Sequence, residues 1–122
     1  ESDERLPPGQ YLTGDFPVLS AGPTPRIPTE SWEFVVVGRD GIRHTWTWEE
    51  LHAFPIETIT TDIHCVTRWS KLGTQWRGVA VERLLDAVGD DAAFAEVFSY
   101  GGYTTNLSRD DLVGGRAWIA LV

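Results

Sequence analysis

The most informative part of this 122-residue sequence is the stretch DIHCVTRWSKLGTQWRGV, residues 62–79. It contains Cys65, the only cysteine of the chain. The nineteen residues between Asp62 and Glu82 include no carboxylate, although eighteen residues of the whole sequence are acidic. The same window holds three cations, which are Arg68, Lys71 and Arg77. Positive charge stabilises deprotonated sulfur, so this composition favours a thiolate at Cys65.

The residues alone leave several functions open for Cys65. A free cysteine is most often a small buried hydrophobe. A nucleophilic cysteine needs a base, and His64 is poorly placed because neighbouring strand residues point to opposite faces. His44 or His52 would have to supply the base. A zinc site is not predicted, because the cysteine and the three histidines lack the paired spacing of zinc ligands.

Composition limits the class of protein. The length suits one domain with a real core. The net charge of −8 argues against a general nucleic-acid binder, which needs a basic surface. No run approaches the length of a membrane span, and no signal peptide is visible. We therefore expect no membrane span, and a cytoplasmic location slightly more than a periplasmic one.

Residues 1–31 are expected to form an extended arm. They carry six of the seven prolines, which fix the backbone and remove amide donors. They also carry apolar side chains that a disordered linker would not need, namely Tyr11, Leu12, Phe16, Val18 and Leu19. The arm is therefore predicted to lie against the folded body, residues 32–122.

The body begins with strand patterns. Residues 32–37 and 42–48 read as two strands around the turn pair Asp40-Gly41. Thr47 and Glu50 have the spacing of a capping box, which predicts a short helix that stops before Pro55. Residues 56–66 read as another strand. Residues 67–78 contain two glycines and no apolar period, which predicts a loop.

The remaining residues alternate between helix and strand. One helical face runs from Val79 to Val88 and closes at Gly89. Strands are expected at 96–100 and 103–107 around a glycine pair, then one helical turn capped by Ser108. A last strand, 117–122, ends in an apolar run, so we expect the domain to continue beyond it. Strands outnumber the short helices, which predicts an α+β fold.

The cysteine stretch resembles the cysteine loop of the sulfite oxidase family of molybdopterin enzymes. The likeness is greatest to its bacterial and archaeal branch, which includes methionine sulfoxide reductases. That branch is similar in placing a histidine before the cysteine and Trp-Ser four and five positions after it. Three other segments agree in order with the family: residues 6–25, residues 31–34 and residues 101–107.

The resemblance implies a mixed, strand-rich molybdopterin-binding fold, of which residues 32–122 are the N-terminal portion. Cys65 would be the catalytic residue and the single protein sulfur bound to molybdenum, in two-electron oxygen-atom transfer. The cofactor is expected to contact Asp15, Phe16, His64, Thr67, Arg68, Trp69, Ser70, Lys71, Tyr103, Thr104 and Thr105. The partners implied are a small-molecule substrate and an electron-transfer protein that carries haem or flavin.

The substrate stays open, because sulfite-oxidising members carry two arginines where this chain has Trp69 and Ser70. A further substrate arginine of the family's N-terminal arm corresponds to Gly14. Sulfite and a sulfoxide-like molecule are both candidates. Two other functions stay open as well: a folded interaction module without cofactor, and an enzyme with a cysteine nucleophile.

Overall fold

The structure is a computed structural model and describes residues 5–17 and 25–121. Val18 and Leu19 of the predicted arm lie outside these ranges. The elements in chain order are β1 Tyr11–Leu12, β2 Glu33–Val37, β3 Arg43–Thr47, α1 Trp48–His52, β4 Glu57–His64, β5 Trp69–Ala80, α2 Val81–Val88, β6 Phe94–Phe98, β7 Thr104–Ser108, a 3-10 turn Arg109–Asp111, and β8 Trp118–Ala120.

Strand β5 is the centre of the main sheet. It pairs with β4 in an antiparallel hairpin along most of its length. Its first residues pair in parallel with β1, and its last residues pair antiparallel with β8. Strands β2 and β3, and strands β6 and β7, form two separate antiparallel hairpins. This strand-rich mixed architecture with two short helices confirms the predicted α+β class.

The prediction of a loop over residues 67–78 was wrong, because most of this stretch is β5. Its two glycines, Gly73 and Gly78, lie within the strand and do not end it. Gly73 has φ 62°, and its amide donates to the Asp62 carboxylate at 2.8 Å, beside a break in register between Thr61 and Ile63. Glycine within a strand often marks such an irregularity.

Gly78 is required by the close approach of β8. A Cβ atom at this position would lie 2.5 Å from the carbonyl oxygen of Ile119. That distance is well inside van der Waals contact, so only glycine lets the two strands pair here. The second glycine of the supposed loop is therefore a packing requirement.

One helix boundary and one capping bond also differ from the prediction. The helix begins at Val81, and Val79 is a fully buried residue of β5. Gly89 ends the helix with φ 75°, as expected of a left-handed cap. The predicted turn after β7 is present with Ser108 at its N-cap position, but the Ser108 hydroxyl donates to the Asp111 carboxylate at 2.9 Å and makes no capping bond to the backbone.

The capping box at Thr47 is confirmed. The Thr47 hydroxyl accepts from the Glu50 amide at 3.2 Å, and the Glu50 carboxylate accepts from the Thr47 amide at 3.0 Å. Two donors at the start of α1 are thereby satisfied. Leu51 of this helix is fully buried.

The core lies at the C-terminal end of β5. It is formed by Leu51, Val79 and Leu84. Partly buried apolar residues surround it: Trp32, Phe34, Trp46, Phe54, Ile56, Ile119 and Leu121. An extended strand rises roughly 3.3 Å per residue, so Val79 is roughly 33 Å along β5 from Trp69. The core therefore anchors one end of β5 and leaves its other end to the cysteine loop.

The β6–β7 hairpin lies largely in solvent. Its exposed apolar residues are Phe94, Val97, Phe98, Tyr100 and Tyr103. The Tyr100 hydroxyl ties it to β2, accepting from the Glu33 amide at 2.9 Å and donating to the Glu33 carbonyl at 3.0 Å. In the described ranges, no helix is long and apolar enough to cross a membrane.

Candidate functional site

Cys65 lies at the tip of the β4–β5 hairpin. The Cys65 amide donates to the Trp69 carbonyl at 2.9 Å, and the Arg68 amide donates to the Cys65 carbonyl at 3.0 Å. Arg68 closes the turn with φ 75°, a left-handed conformation that is uncommon outside glycine. This is the geometry of a short hairpin loop with a left-handed last residue. The loop holds the cysteine backbone on two sides.

Cys65 is half-buried as a residue, and its sulfur accepts a hydrogen bond. The Thr67 hydroxyl donates to it at 3.1 Å. This bond is the main cause that lowers the pKa of the Cys65 thiol below its ordinary value. The Thr67 amide lowers it further, partial desolvation opposes the shift, and the Val66 amide adds to it. Hydrogen bonds to sulfur favour its charged form.

The physical cause differs from the one that the sequence indicated. The acid-free window predicted that nearby cations would favour the thiolate. In the structure the pKa is lowered by hydrogen bonds within the loop, from Thr67 first and then from the Val66 amide. Thr67 was expected to contact the cofactor, and its bond to sulfur is an additional property that the spacing did not reveal.

The N-terminal arm docks on the same loop. The Tyr11 amide donates to the Arg68 carbonyl at 2.7 Å, and the Thr13 amide donates to the Ser70 carbonyl at 2.8 Å. Strand β1 thereby extends the sheet at the point where the cysteine loop ends. Residues 10–13 are thus bonded to the body, while the packing of the whole segment 1–31 as one arm stays a prediction.

Gln10 joins the arm to the cysteine directly. Its side-chain amide donates to the Cys65 carbonyl at 3.1 Å, and its carbonyl oxygen accepts from the Ser70 hydroxyl at 2.9 Å. The Ser70 hydroxyl also lies 2.7 Å from Nδ1 of His64. Sequence reasoning missed Gln10 as a site residue, because its partners are far away along the chain and no local pattern marks them.

Phe16 of the arm packs against two tryptophans of β5. Its ring meets Trp69 edge-on at 5.9 Å and Trp76 at 5.8 Å, measured between centroids. The Lys71 ammonium lies 4.9 Å from the Phe16 centroid and donates to the Thr74 hydroxyl at 3.3 Å. Trp69 is only 6% exposed, whereas Phe16 is 48% exposed. The aromatic wall therefore has a buried base and an accessible rim.

Two indole donors in this wall lack a partner among the described residues. Nε1 of Trp69 and Nε1 of Trp76 are both buried, and neither donates to an acceptor in residues 5–17 and 25–121. Buried N–H groups are rarely left unpaired, and water or a ligand commonly satisfies them. The neighbouring Asp15 is exposed, and its amide is held by the Thr13 hydroxyl at 3.2 Å.

The second predicted loop is not joined to the first. Tyr103 precedes β7, and Thr104 and Thr105 are exposed residues of that strand. Within residues 5–17 and 25–121, no hydrogen bond links these three to the cysteine loop; the hairpin is bonded to Glu33 through Tyr100. Their contact with a cofactor stays a prediction.

The alternative chemistries find little support in the geometry. In the part of the chain that the structure describes, no group of three or more His, Cys, Asp or Glu side chains could hold a metal. His64 is bonded to Ser70, and Nδ1 of His52 is bonded to the Trp48 carbonyl at 2.7 Å. Among the described residues, no histidine is hydrogen-bonded to the Cys65 sulfur, whose partner is the Thr67 hydroxyl.

Residues 21–122 match the model of a protein family described as the oxidoreductase molybdopterin binding domain. The chain belongs to this family. The resemblance carried by the cysteine stretch is thereby confirmed, and the cofactor class is molybdopterin. The molybdopterin-binding domain also has similar proteins among curated sequences.

One relative is the protein named uncharacterized oxidoreductase YuiH of Bacillus subtilis (strain 168). It is 34% identical over 125 residues, which cover 98% of this chain and 63% of the relative. Another is the putative protein-methionine-sulfoxide reductase subunit YedZ1 of Azospira oryzae, 38% identical over 66 residues, covering 53% of this chain and 24% of that protein. The chain thus spans less than two thirds of either relative. No solved structure matches it.

The cysteine loop of this molybdopterin-binding domain fits such a cofactor. Soft metals prefer thiolate ligands, and Cys65 is held in a loop that lowers its pKa. The indole donors of Trp69 and Trp76, which lie on the strand that follows the loop, have no partner among the described residues. Arg68 at the tip is exposed and carries a positive charge. The donor set is therefore suited to a metal carried by a polar anionic cofactor.

Proposed function

We propose that this domain belongs to an oxidoreductase that transfers an oxygen atom in a two-electron reaction, with Cys65 as the protein sulfur ligand of molybdenum. The observation that carries the proposal is the Thr67–Cys65 hydrogen bond at the tip of a fixed hairpin. A metal ligand must be deprotonated, and this bond favours deprotonated sulfur. The family match supports the cofactor to which the sulfur would bind.

The residues around Cys65 have separable tasks in this proposal. When bound, molybdenum supplies the exchange of an oxygen atom and two electrons with the substrate. Thr67 favours the thiolate form of the sulfur. The turn closed by Arg68 fixes the direction of the cysteine side chain. Phe16 and Trp69 form an apolar flank that excludes water from one side of the loop.

The cofactor contacts are proposed in two groups. His64, Thr67, Arg68, Trp69, Ser70 and Lys71 flank Cys65 directly, and Asp15 and Phe16 join them from the arm. Exposed Arg68 suits an anionic phosphate best, because the Lys71 ammonium already has Phe16 and Thr74 as neighbours. Tyr103, Thr104 and Thr105 would complete the site from the β6–β7 hairpin.

The proposed substrate is a small sulfur compound, either sulfite or a sulfoxide. The positions expected to hold arginines in sulfite-oxidising members are buried Trp69 and fully buried Ser70. A neutral sulfoxide needs no such cations. A relative named as a methionine sulfoxide reductase subunit also supports a sulfoxide as the substrate. An electron-transfer protein with haem or flavin would complete the reaction.

The test is the substitution Cys65→Ser in the full-length protein. A hydroxyl is a harder and much less acidic ligand than a thiol, so we expect oxygen-atom transfer to be abolished while the unfolding curve is kept. Val66→Ala is the matched control, since Val66 is 95% exposed in the same loop. Full activity in Cys65→Ser would contradict the proposal.

A second function is favoured by the β6–β7 hairpin. Its exposed aromatic residues, among them Phe94 at 75% and Phe98 at 67%, are typical of an interaction surface. An interaction module without cofactor would bury this surface in a complex. Molybdenum analysis of natively purified protein separates the two functions, because only the oxidoreductase holds the metal.

A further inference from the structure

The hydrogen bonds of Gln10 have only one consistent assignment. The Gln10 side chain lies between the Cys65 carbonyl, which can only accept, and the Ser70 hydroxyl. Its NH₂ group must therefore face Cys65, because the reverse orientation would oppose two carbonyl oxygens. Its oxygen then faces Ser70 and accepts the hydroxyl proton. The carbonyl of Cys65 thus fixes the orientation of an amide that belongs to the arm.

The same reasoning fixes the proton on His64. The Ser70 hydroxyl has one hydrogen, which it gives to Gln10. Its oxygen can then only accept from Nδ1 of His64, at 2.7 Å, so Nδ1 carries a proton. The hydrogen bond at one ring nitrogen sets the tautomer of neutral histidine. In the neutral ring Nε2 is then the bare acceptor, on an exposed residue next to Cys65 in the chain.

The chain of bonds is well protected from competing water at its centre. Ser70 is fully buried, and Gln10 is half-buried between β1 and the hairpin tip. Backbone bonds from Tyr11 to Arg68 and from Thr13 to Ser70 hold the two segments together on the same side. A buried hydrogen bond that loses one partner leaves an unsatisfied group, which is costly.

We infer that Gln10 and Ser70 are positioning residues for Cys65, and that they hold His64 as an Nε2 hydrogen-bond acceptor. Gln10 fixes the Cys65 carbonyl, and with it the loop that aims the sulfur. Ser70, whose hydroxyl hydrogen is given to Gln10, accepts from Nδ1 of His64 and so selects the histidine tautomer. Nε2 of His64 is thereby suited to a ligand N–H or O–H donor. The inference rests on the proposed function only in taking Cys65 as the reactive sulfur.

The first test is Gln10→Glu in the full-length protein, produced in cells that cannot make molybdopterin. The carboxylate has the same shape but cannot donate to the Cys65 carbonyl. We expect amide hydrogen exchange at Cys65 and Arg68 to become about fivefold faster, because a change of this size corresponds to the loss of one ordinary hydrogen bond. Gln75→Glu makes the same chemical change at an exposed position of β5 and should leave both amides unchanged. Equal exchange in Gln10→Glu and Gln75→Glu would overturn the inference.

The second test reads the tautomer of His64 by ¹⁵N chemical shifts, at about pH 8.5, where ordinary histidines are neutral. The wild-type protein should show a protonated Nδ1 and a bare Nε2, and Ser70→Ala should lose this preference. A bare Nδ1 in the wild-type protein would contradict the assignment. Both tests use protein without cofactor, so they can fail while Cys65→Ser still abolishes activity, and the reverse.

Discussion

The Thr67 hydroxyl donates a hydrogen bond to the sulfur of Cys65 across one intervening residue, at 3.1 Å. It is the largest cause of the lowered pKa of that thiol. A single side chain in a tight loop is therefore the main cause that favours the deprotonated sulfur. This relationship gives the first prediction.

Thr67→Val should raise the pKa of the Cys65 thiol in the cofactor-free protein, because it removes the hydroxyl and keeps the shape. The rate of Cys65 alkylation would then reach its midpoint at a higher pH, and the variant would react more slowly near neutrality. Thr67→Ser keeps the hydroxyl and should follow the wild-type profile. Identical profiles for Thr67→Val and the wild type would show that the hydroxyl has no effect on the sulfur.

The sign of the linked pH dependence of stability follows from the same bond. The folded-state pKa of Cys65 is lowered, so the folded protein binds the thiol proton less tightly than the unfolded chain. The contribution of this group to stability is present above the unfolded-state pKa and is lost as the pH falls through the folded-state pKa. Thr67→Val should weaken this dependence of stability on pH. Denaturant unfolding measures it between the folded-state and unfolded-state pKa values of Cys65.

Charge reversal at Arg68 is expected to reduce cofactor retention. Arg68 is exposed at the hairpin tip beside Cys65, where an anionic cofactor would meet it. Arg68→Glu should weaken cofactor retention by well over about 0.5 kcal/mol, the usual size of the effect of a surface substitution. The molybdenum content of the purified protein should fall accordingly. Arg83→Glu, on the exposed side of α2, is the control. Equal molybdenum content in the two variants would make Arg68 an ordinary surface residue.

Gly78→Ala should destabilise the fold. The added methyl group would meet the Ile119 carbonyl at 2.5 Å, so β8 would have to move away from β5. Overpacking of this kind costs about 1–3 kcal/mol in the free energy of unfolding. Gly14→Ala is the matched control, because a Cβ there meets nothing within 4 Å. Denaturant unfolding measures both, and no difference between them would show that β8 adjusts freely.

Thr47→Ala should remove the N-cap of α1. The Thr47 hydroxyl holds the Glu50 amide, and loss of such a cap costs about 1 kcal/mol. Thr47→Ser keeps the hydroxyl and should remain within a few tenths of the wild-type value. Thermal unfolding compares the three proteins; a Thr47→Ala variant as stable as the wild type would indicate that packing of Leu51 alone fixes the helix.

Local patterns predicted the elements whose causes are local. The capping box at Thr47, the left-handed Gly89 and the strands on either side of Asp40-Gly41 were visible in the sequence because each depends on neighbours a few positions away. The loop prediction over residues 67–78 failed for the opposite reason. Gly73 is bonded to Asp62 and Gly78 lies against Ile119, and both partners are distant along the chain. Without knowledge of these partners, the two glycines looked like the end of a strand.

The candidate site was predictable to a similar extent. The lone cysteine and its resemblance to a family motif identified the loop, and the structure supplies the partners of that loop. Thr67 was chosen as a cofactor contact, yet its bond to sulfur depends on the turn geometry closed by Arg68. Gln10 could not be found, because nothing near it in sequence indicates a carbonyl at position 65.

Parallel pairing of β1 with β5 has a consequence for the order of folding. The β4–β5 hairpin joins sequence neighbours and can form quickly, whereas Gln10 and Ser70 meet across sixty positions of chain. Closing so long a loop is entropically costly until the strands between are in place. The cysteine hairpin should thus exist before the arm secures it, and cofactor capture should follow arm docking. Pulse-labelled hydrogen exchange during refolding would detect this sequence as late protection at Tyr11 and Thr13, after protection of β5.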